Sequence, residues 1–476
     1  MALWLYLPVD PGGRASRRQH LLGNYGSDTI SRANLAGGGG GEIPVAGPAP
    51  EGPYGMAIDA AAGKLYWINY DSETIEYANL DGTGAALLNT GGATVSQPAG
   101  LAIDPPAGRI YWPNNGAQDK ISYASLNGSG GGDLNTTGAT LSEPYGVAVH
   151  PAAGRIYWAN FAGGKISYAN LDGSGGGNVD TGLFFLEPLG IAVDAAVGKL
   201  YWPEYNHKWI AFAALGGGEG GSLEITNAPY GGASGIAIDA PGGRIYWANE
   251  YFGSIGLVNA AGGGDTLLDT SGATLESPSF PVLLESPRGT QSPLVSLSGG
   301  ADLACSQGGW AGDLLESFLY RAPQTFAYQW LRNGAEIAGA TTNTLHAGRV
   351  GDYSCRVTAA NFAGATSQTS SAFSFAAGIR IGRPSLNLRK GTAKLPVSLI
   401  GPPGRLVLRG KDVAKRRRTK ASGSVRLLVK AKGTARNELA ATGRVKVKAK
   451  VNYVPAGAES PLKRTRKITL KKRPRR

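Results

Sequence analysis

Metal sites and proton-transfer pairs are built from histidines, cysteines and acids, and in this 476-residue chain such residues are sparse or scattered. The four histidines, His20, His150, His207 and His346, include no two at a metal-ligating spacing. No HExxH, GxSxG or glycine-rich phosphate loop occurs. His150 stands where equivalent segments carry Asp and reads as a turn residue. His207, in Glu204-Tyr-Asn-His-Lys-Trp209, is a candidate for ligand contact. With Glu187 or Glu143 it makes the one pairing that could move a proton or hold a divalent ion. No catalytic residue, metal or cofactor is expected.

Two other series recur along the chain. One follows each aromatic strand: Tyr25, Tyr70, Asn115, Phe161, Tyr205 and Tyr251. The other is Glu51, Gln97, Glu143, Glu187 and Glu276, most followed by Pro and then by Tyr54, Ala99, Tyr145 or Leu189. Aromatic rings with carboxylates on a rigid face suit a carbohydrate, a peptide or a cation. The competing reading is that the acids solvate turns while the aromatics cover strand ends. The candidate ligand-binding face is therefore Tyr54, Tyr70, Asn115, Glu143, Tyr145, Phe161, Glu187, Tyr205, His207 and Tyr251.

The elements that must carry these residues repeat. Trp67, Trp112, Trp158, Trp202 and Trp247 each follow a Tyr, at spacings of 45, 46, 44 and 45. Each pair is preceded by a Gly-apolar-Ala-apolar strand such as Gly55-Met-Ala-Ile-Asp59 and followed by an alternating strand such as Lys165-Ile-Ser-Tyr-Ala-Asn-Leu171. Turns of the Asp-Gly and Gly-Gly kind separate them, and no segment of the repeat has helical spacing. Four short strands in each unit make a β-propeller blade, whose faces are buried only by stacking on other blades. Five units are complete. A sixth is split, with Thr29-Ile-Ser-Arg-Ala-Asn-Leu35 as its third strand and Phe280-Pro-Val-Leu-Leu284 as its first. The fold expected is all-β and six-bladed, with the closing blade weakest. Before Asn24-Tyr25 the sequence lacks a Tyr-Trp strand, which leaves residues 1–22 as an atypical N-terminus. That segment reads either as a mis-assigned start that has lost a strand and a signal peptide, or as a degenerate terminal blade.

Tyr-Trp-x-Asn, repeated through residues 23–286, resembles the YWTD repeat of low-density-lipoprotein-receptor-type six-bladed propellers. The family's Asp corresponds here to Asn69, Asn114, Asn160, Glu204 and Asn249, and its Thr to Ile68, Pro113, Ala159, Pro203 and Ala248. These replacements put the family's Thr–Asp latch in question. Streptogramin lyases and metal-dependent lactonases, which are similar propellers, supply the alternative of a lyase or metal-dependent hydrolase.

From residue 287 to 378 the order Cys305, Tyr328-Gln-Trp330, Asp352-Tyr-Ser-Cys355 resembles an immunoglobulin sandwich with its tyrosine corner. The resemblance implies a Cys305–Cys355 disulfide and an oxidising compartment, the alternative being two reduced buried cysteines. Residues 379–476 read as a third, sandwich-like β domain, in which Gly443-Arg-Val-Lys-Val-Lys-Ala-Lys-Val alternates strictly. From residue 380 onward there are thirty Lys and Arg against Asp412, Glu438 and Glu459, a net +27, while residues 1–379 carry −14. Such an excess points to an anionic cell-wall or surface polymer held through Lys415, Arg416, Arg417, Arg418, Arg473 and Arg475, with Lys415–Lys420 as a loop. Tyr453 is nearly the only aromatic residue there, which argues against sequence-specific nucleic-acid binding. No apolar stretch is long enough to span a membrane. The whole reads as a non-enzymatic, extracytoplasmic, secreted or cell-surface protein that binds a protein or carbohydrate on its propeller face.

Overall fold

A computed structural model describes residues 18–36, 38–184, 187–299 and 301–473. The chain packs as two compact units. The first is residues 1–288 with 310–325 and 359–366, and the second is residues 289–309, 326–358 and 367–476.

The first unit is a six-bladed propeller of four-stranded antiparallel sheets. The third blade is typical: Pro144–His150 innermost, then Arg155–Asn160, Lys165–Asn170 and Gly176–Val179. Its Tyr-Trp strand pairs Trp158 with Ser167 and Val147. All five tryptophans of the Tyr-Trp strands are fully buried, as aromatic inter-blade packing requires. The repeated glycine of each inner strand has a steric cause. A Cβ on Gly55 would stand 2.2 Å from the Ala99 carbonyl oxygen, and one on Gly146 would stand 2.5 Å from that of Leu189. Adjacent inner strands approach so closely that their backbones hydrogen-bond, Gly146 N–H to Leu189 O at 2.8 Å. The Asp that ends four of the inner strands caps the following turn, as when Asp59 accepts from Ala62 N–H at 2.8 Å and Asp239 from Gly242 N–H at 2.9 Å, whereas His150 in the third blade makes no such bond.

The closing blade corrects the sequence reading. Its second strand is present as Arg18–Asn24, lying between Pro278–Glu285 and Thr29–Asn34. Register places Leu21-Leu22 where other blades have Tyr-Trp, and His20 where the first blade has Leu65. With no indole beside it, the Oδ1 of buried Asn24 has no hydrogen-bond partner among the described residues. Arg18 closes the ring electrostatically, pairing with Glu285 at 3.1 Å and also with Asp239.

A further segment seals one end of the propeller axis. Leu315–Ser317 lies against the inner strands of four blades, and Ser317 Oγ donates to Val193 O at 2.6 Å. Leu319–Tyr320 then pairs in parallel with the inner strand of the closing blade. Leu315, Phe318, Leu319 and Tyr320 join the propeller core. Glu316 senses His150 and Asp194, which end two inner strands, so this end is opposite the one where the inner strands begin.

In the second unit, two β-sheets carry Cys305 on Asp302–Cys305 and Cys355 on Gly351–Asn361. The two form a disulfide. Trp330 is buried and donates its indole N–H to Thr342 O at 2.8 Å, and Tyr353 OH donates to Arg349 O at 2.7 Å. The basic region is one continuous six-stranded sheet, its longest strand Thr392–Gly410 passing through Gly401-Pro402-Pro403-Gly404. Its core takes Leu395, Val397, Leu406, Leu408 and the alternate residues Val445, Val447, Ala449 and Val451. Two local expectations fail. Lys415–Lys420 is not a loop but part of the strand Val413–Lys430, and Thr434–Thr442 is an α-helix. The strand pairs with Thr392–Gly410, and all six residues 415–420 are exposed, as an edge protected by charge would be.

His20 gives a test of the closing blade. Both of its ring nitrogens are buried without a partner, and burial pushes it down to about 3. The folded state thus resists the proton that an unfolded histidine takes up near pH 6.5, so this group's stabilisation is present above that pH and is lost as pH falls below it. His20→Leu is expected to raise unfolding stability by about 1–3 kcal/mol and to flatten the loss between pH 6.5 and 4, measured by denaturant titration.

Candidate ligand-binding face

Four blades hold their loop at the inner-strand entry through the residue at the fourth position of Tyr-Trp-x-Asn, namely Asn69, Asn114, Asn160 and Glu204. Asn160 is fully buried. Its Oδ1 accepts from Trp158 Nε1 at 3.2 Å and from Ser142 N–H at 3.0 Å, while its Nδ2 donates to Ser167 Oγ at 2.9 Å. Asn69 makes the corresponding bonds to Trp67, Glu51 N–H and Thr74, and Glu204 those to Trp202 Nε1 and Glu187 N–H. A latch is therefore made without the Thr of the repeat, by asparagine or glutamate alone.

The residue after the latch is fixed in turn. Tyr70, Asn115, Phe161 and Tyr205 donate their backbone N–H to the carbonyls of Gly52, Gln97, Glu143 and Glu187, at 3.0 to 3.3 Å. In the fifth blade the same bond is made by Glu250 to Gly232 at 3.1 Å. The ring position there is Glu250, and the sequence reading named its neighbour Tyr251. Counting one residue on from Asn249 was the signal that would have found it.

These residues meet around the axis. Tyr54 reaches Glu250 with its hydroxyl, 2.7 Å from Oε1, although the two lie in blades separated by the closing blade. Ring centroids of Tyr54 and Tyr70, Tyr145 and Phe161, Phe161 and Tyr205, and Tyr205 and Tyr251 lie 5.7 to 5.9 Å apart, mostly edge to face. Tyr205 and Tyr251 also share a hydroxyl–hydroxyl hydrogen bond of 2.5 Å. Tyr25, 38% exposed, stands at the rim, its hydroxyl 3.1 Å from Asp71. Burial raises the Glu250 carboxyl above its ordinary range, opposed by the Tyr54 hydrogen bond. Burial also pushes Tyr145 up to about 12, with Tyr70, Glu143 and Glu250 adding to the effect. The result is an aromatic basin around a half-buried carboxylate, able to take an apolar or sugar face against the rings and a donor or cation at Glu250.

The other candidates lie apart from that chemistry. Glu143 is exposed, its backbone N–H held by Asp119 at 3.2 Å. Glu187 accepts from Asn206 Nδ2 at 2.7 Å, and His207 stacks on Trp209 with centroids 4.8 Å apart. Among the described residues no hydrogen bond joins His207 to either acid, and no group of three or more His, Cys, Asp or Glu is arranged to hold a metal ion. In the second unit, Lys415 through Arg418 are exposed on the edge strand and Arg473 is exposed after the last strand, whereas Arg475 lies outside the described residues.

Glu204 makes the latch titratable. Burial raises its carboxyl to about 7, against the hydrogen bonds from Glu187 and Trp202. A carboxyl that holds its proton more tightly when folded than at its unfolded value of about 4.3 contributes stability below that value and loses it as pH rises through 7. Glu204→Gln is expected to reduce the fall in unfolding stability between pH 5 and 8. Denaturant midpoints across that range would show an unchanged slope if the account were wrong.

No protein-family model and no curated protein matches the sequence. Among solved structures, a chain of the crystal structure of a nidogen/laminin complex is similar at 19% identity, over 56% of this chain and 98% of that one, with a TM-score of 0.47.

Proposed function

We propose that this chain is a non-enzymatic, extracytoplasmic binding or adhesion protein with a YWTD-like propeller and an immunoglobulin-like domain. The propeller face takes a protein or carbohydrate ligand, and the basic C-terminal domain holds an anionic cell-wall or surface polymer. The observation that carries the reading is the basin of Tyr54, Tyr70, Tyr145, Phe161 and Tyr205 around Glu250, at one mouth of an axis whose opposite end is filled by Leu315–Ser317. With that end filled, the aromatic end is the open mouth of the axis, which supports it as the ligand face. The rings are preset by backbone hydrogen bonds, so little ordering is lost when a ligand binds. The Cys305–Cys355 disulfide supports an oxidising compartment. No helix among the described residues is long and apolar enough to cross a membrane.

The reading is tested by screening the full chain against glycans and secreted-protein ectodomains, then remeasuring each hit with Tyr205→Ala and Glu250→Gln. At least one variant is expected to weaken a true ligand about tenfold, or about 1.4 kcal/mol, with thermal unfolding nearly unchanged. Hits whose affinity survives both substitutions would place recognition elsewhere.

A further inference from the structure

We infer that the C-terminal domain carries a discrete pocket for a ligand bearing two or more phosphate groups, separate from the exposed edge strand at Lys415–Lys420. It rests on the reading of that domain as a holder of polyanions, and gives it one location. A cavity of about 1150 Å³ is lined by Lys390, Lys394, Lys430, Lys432, Arg436 and Lys472, and no acidic side chain lines it.

The six cations come from separate parts of the chain, so folding brings them together. Lys394 lies on Thr392–Gly410, cross-strand from Ser385 and Leu428. One step along the same face, Thr392 lies between Asn387 and Lys430, which puts Lys394 and Lys430 on one side of the sheet. Lys390 is set by a turn in which its N–H donates to Asn387 Oδ1 at 2.9 Å, and Lys472 by its N–H to Gly443 O at 2.8 Å. Lys432 and Arg436 flank the start of the helix Thr434–Thr442. That start has no acidic residue in its first turn, and Gly433 offers no side chain to cap it. An uncapped helix start adds partial positive charge to a wall that is already cationic.

Six like charges in one cavity repel, and a cluster without a counter-charge is suited to an anionic ligand that supplies it. Phosphate is the favoured chemistry, because lysines predominate and act as point charges toward tetrahedral oxyanions. The volume exceeds what a single phosphate needs and suits a sugar phosphate or oligophosphate. No aromatic residue lines the cavity, which removes the stacking that a nucleotide base would use.

Calorimetric titration of the full chain with inorganic tripolyphosphate at physiological salt tests the inference. One equivalent is expected to bind. Lys394→Gln with Lys430→Gln should weaken it about tenfold, while Lys415→Gln with Arg417→Gln should change it less than about twofold. Capture on phosphatidylcholine vesicles containing phosphatidylinositol bisphosphate, competed by tripolyphosphate, would assign the phosphates to a lipid headgroup. Tripolyphosphate binding without vesicle capture would assign them to a soluble or polymeric ligand. Equal losses in the two double variants, or binding of several equivalents, would overturn the pocket. Retention of the chain on a polyphosphate resin at low salt, with no stoichiometric tripolyphosphate site, would also overturn it while leaving the broader polyanion reading intact.

Discussion

Burying a tryptophan inside a propeller blade strands its indole N–H unless a partner is buried with it. In the third blade the Thr140 carbonyl and Asn160 Oδ1 share that N–H, at 3.0 and 3.2 Å, and the same Oδ1 also takes the N–H of Ser142, eighteen residues before Asn160 in the loop that enters the inner strand. One side chain therefore couples blade packing to loop position. Phe161, next in sequence, is then fixed by its own N–H to Glu143 O at 3.0 Å. The aromatic basin inherits its order from these buried bonds, and its rings need not be ordered by a ligand.

The blades show how far this coupling tolerates substitution. Trp112 gives its indole N–H to the Thr94 carbonyl, and Asn114 is left to hold Ser96 and Ser122. Glu204 does the work of an asparagine at the cost of a buried acid, which is why a scaffold residue titrates near neutrality. In the closing blade Leu22 brings no indole, Asn24 keeps a carbonyl with no partner among the described residues, and Arg18 pairs with Glu285 inside the blade and with Asp239 of the fifth blade. That blade combines the ends of the propeller sequence.

Much of this was legible in the residues. The period of the tryptophans and the inner-strand glycines follow from demands that recur in the five complete blades, and the turn acids from one that four of them share. The strand Arg18–Asn24 was not legible, because Leu21-Leu22 fills the aromatic position without its signature and buried His20 breaks the apolar pattern. Lys415–Lys420 offers no alternation, since an edge strand with both faces in water has no apolar side to display. The helix Thr434–Thr442 buries only Ala435 and Leu439, too little to print a periodic stripe. Of the aromatic face, most ring positions could be read, but Glu250 was displaced by the more conspicuous Tyr251. Its contact with Tyr54, 196 residues away, depends on ring closure that no local pattern records.

Hydrogen–deuterium exchange on Asn160→Ala bears most directly on the coupling between buried latch and aromatic face. The account predicts faster exchange in the third blade's top loops, at Ser142–Tyr145 and Phe161–Gly164, with the inner strands of the other blades still protected. Exchange unchanged in those loops would contradict it, as would loss of protection spread evenly over all six blades.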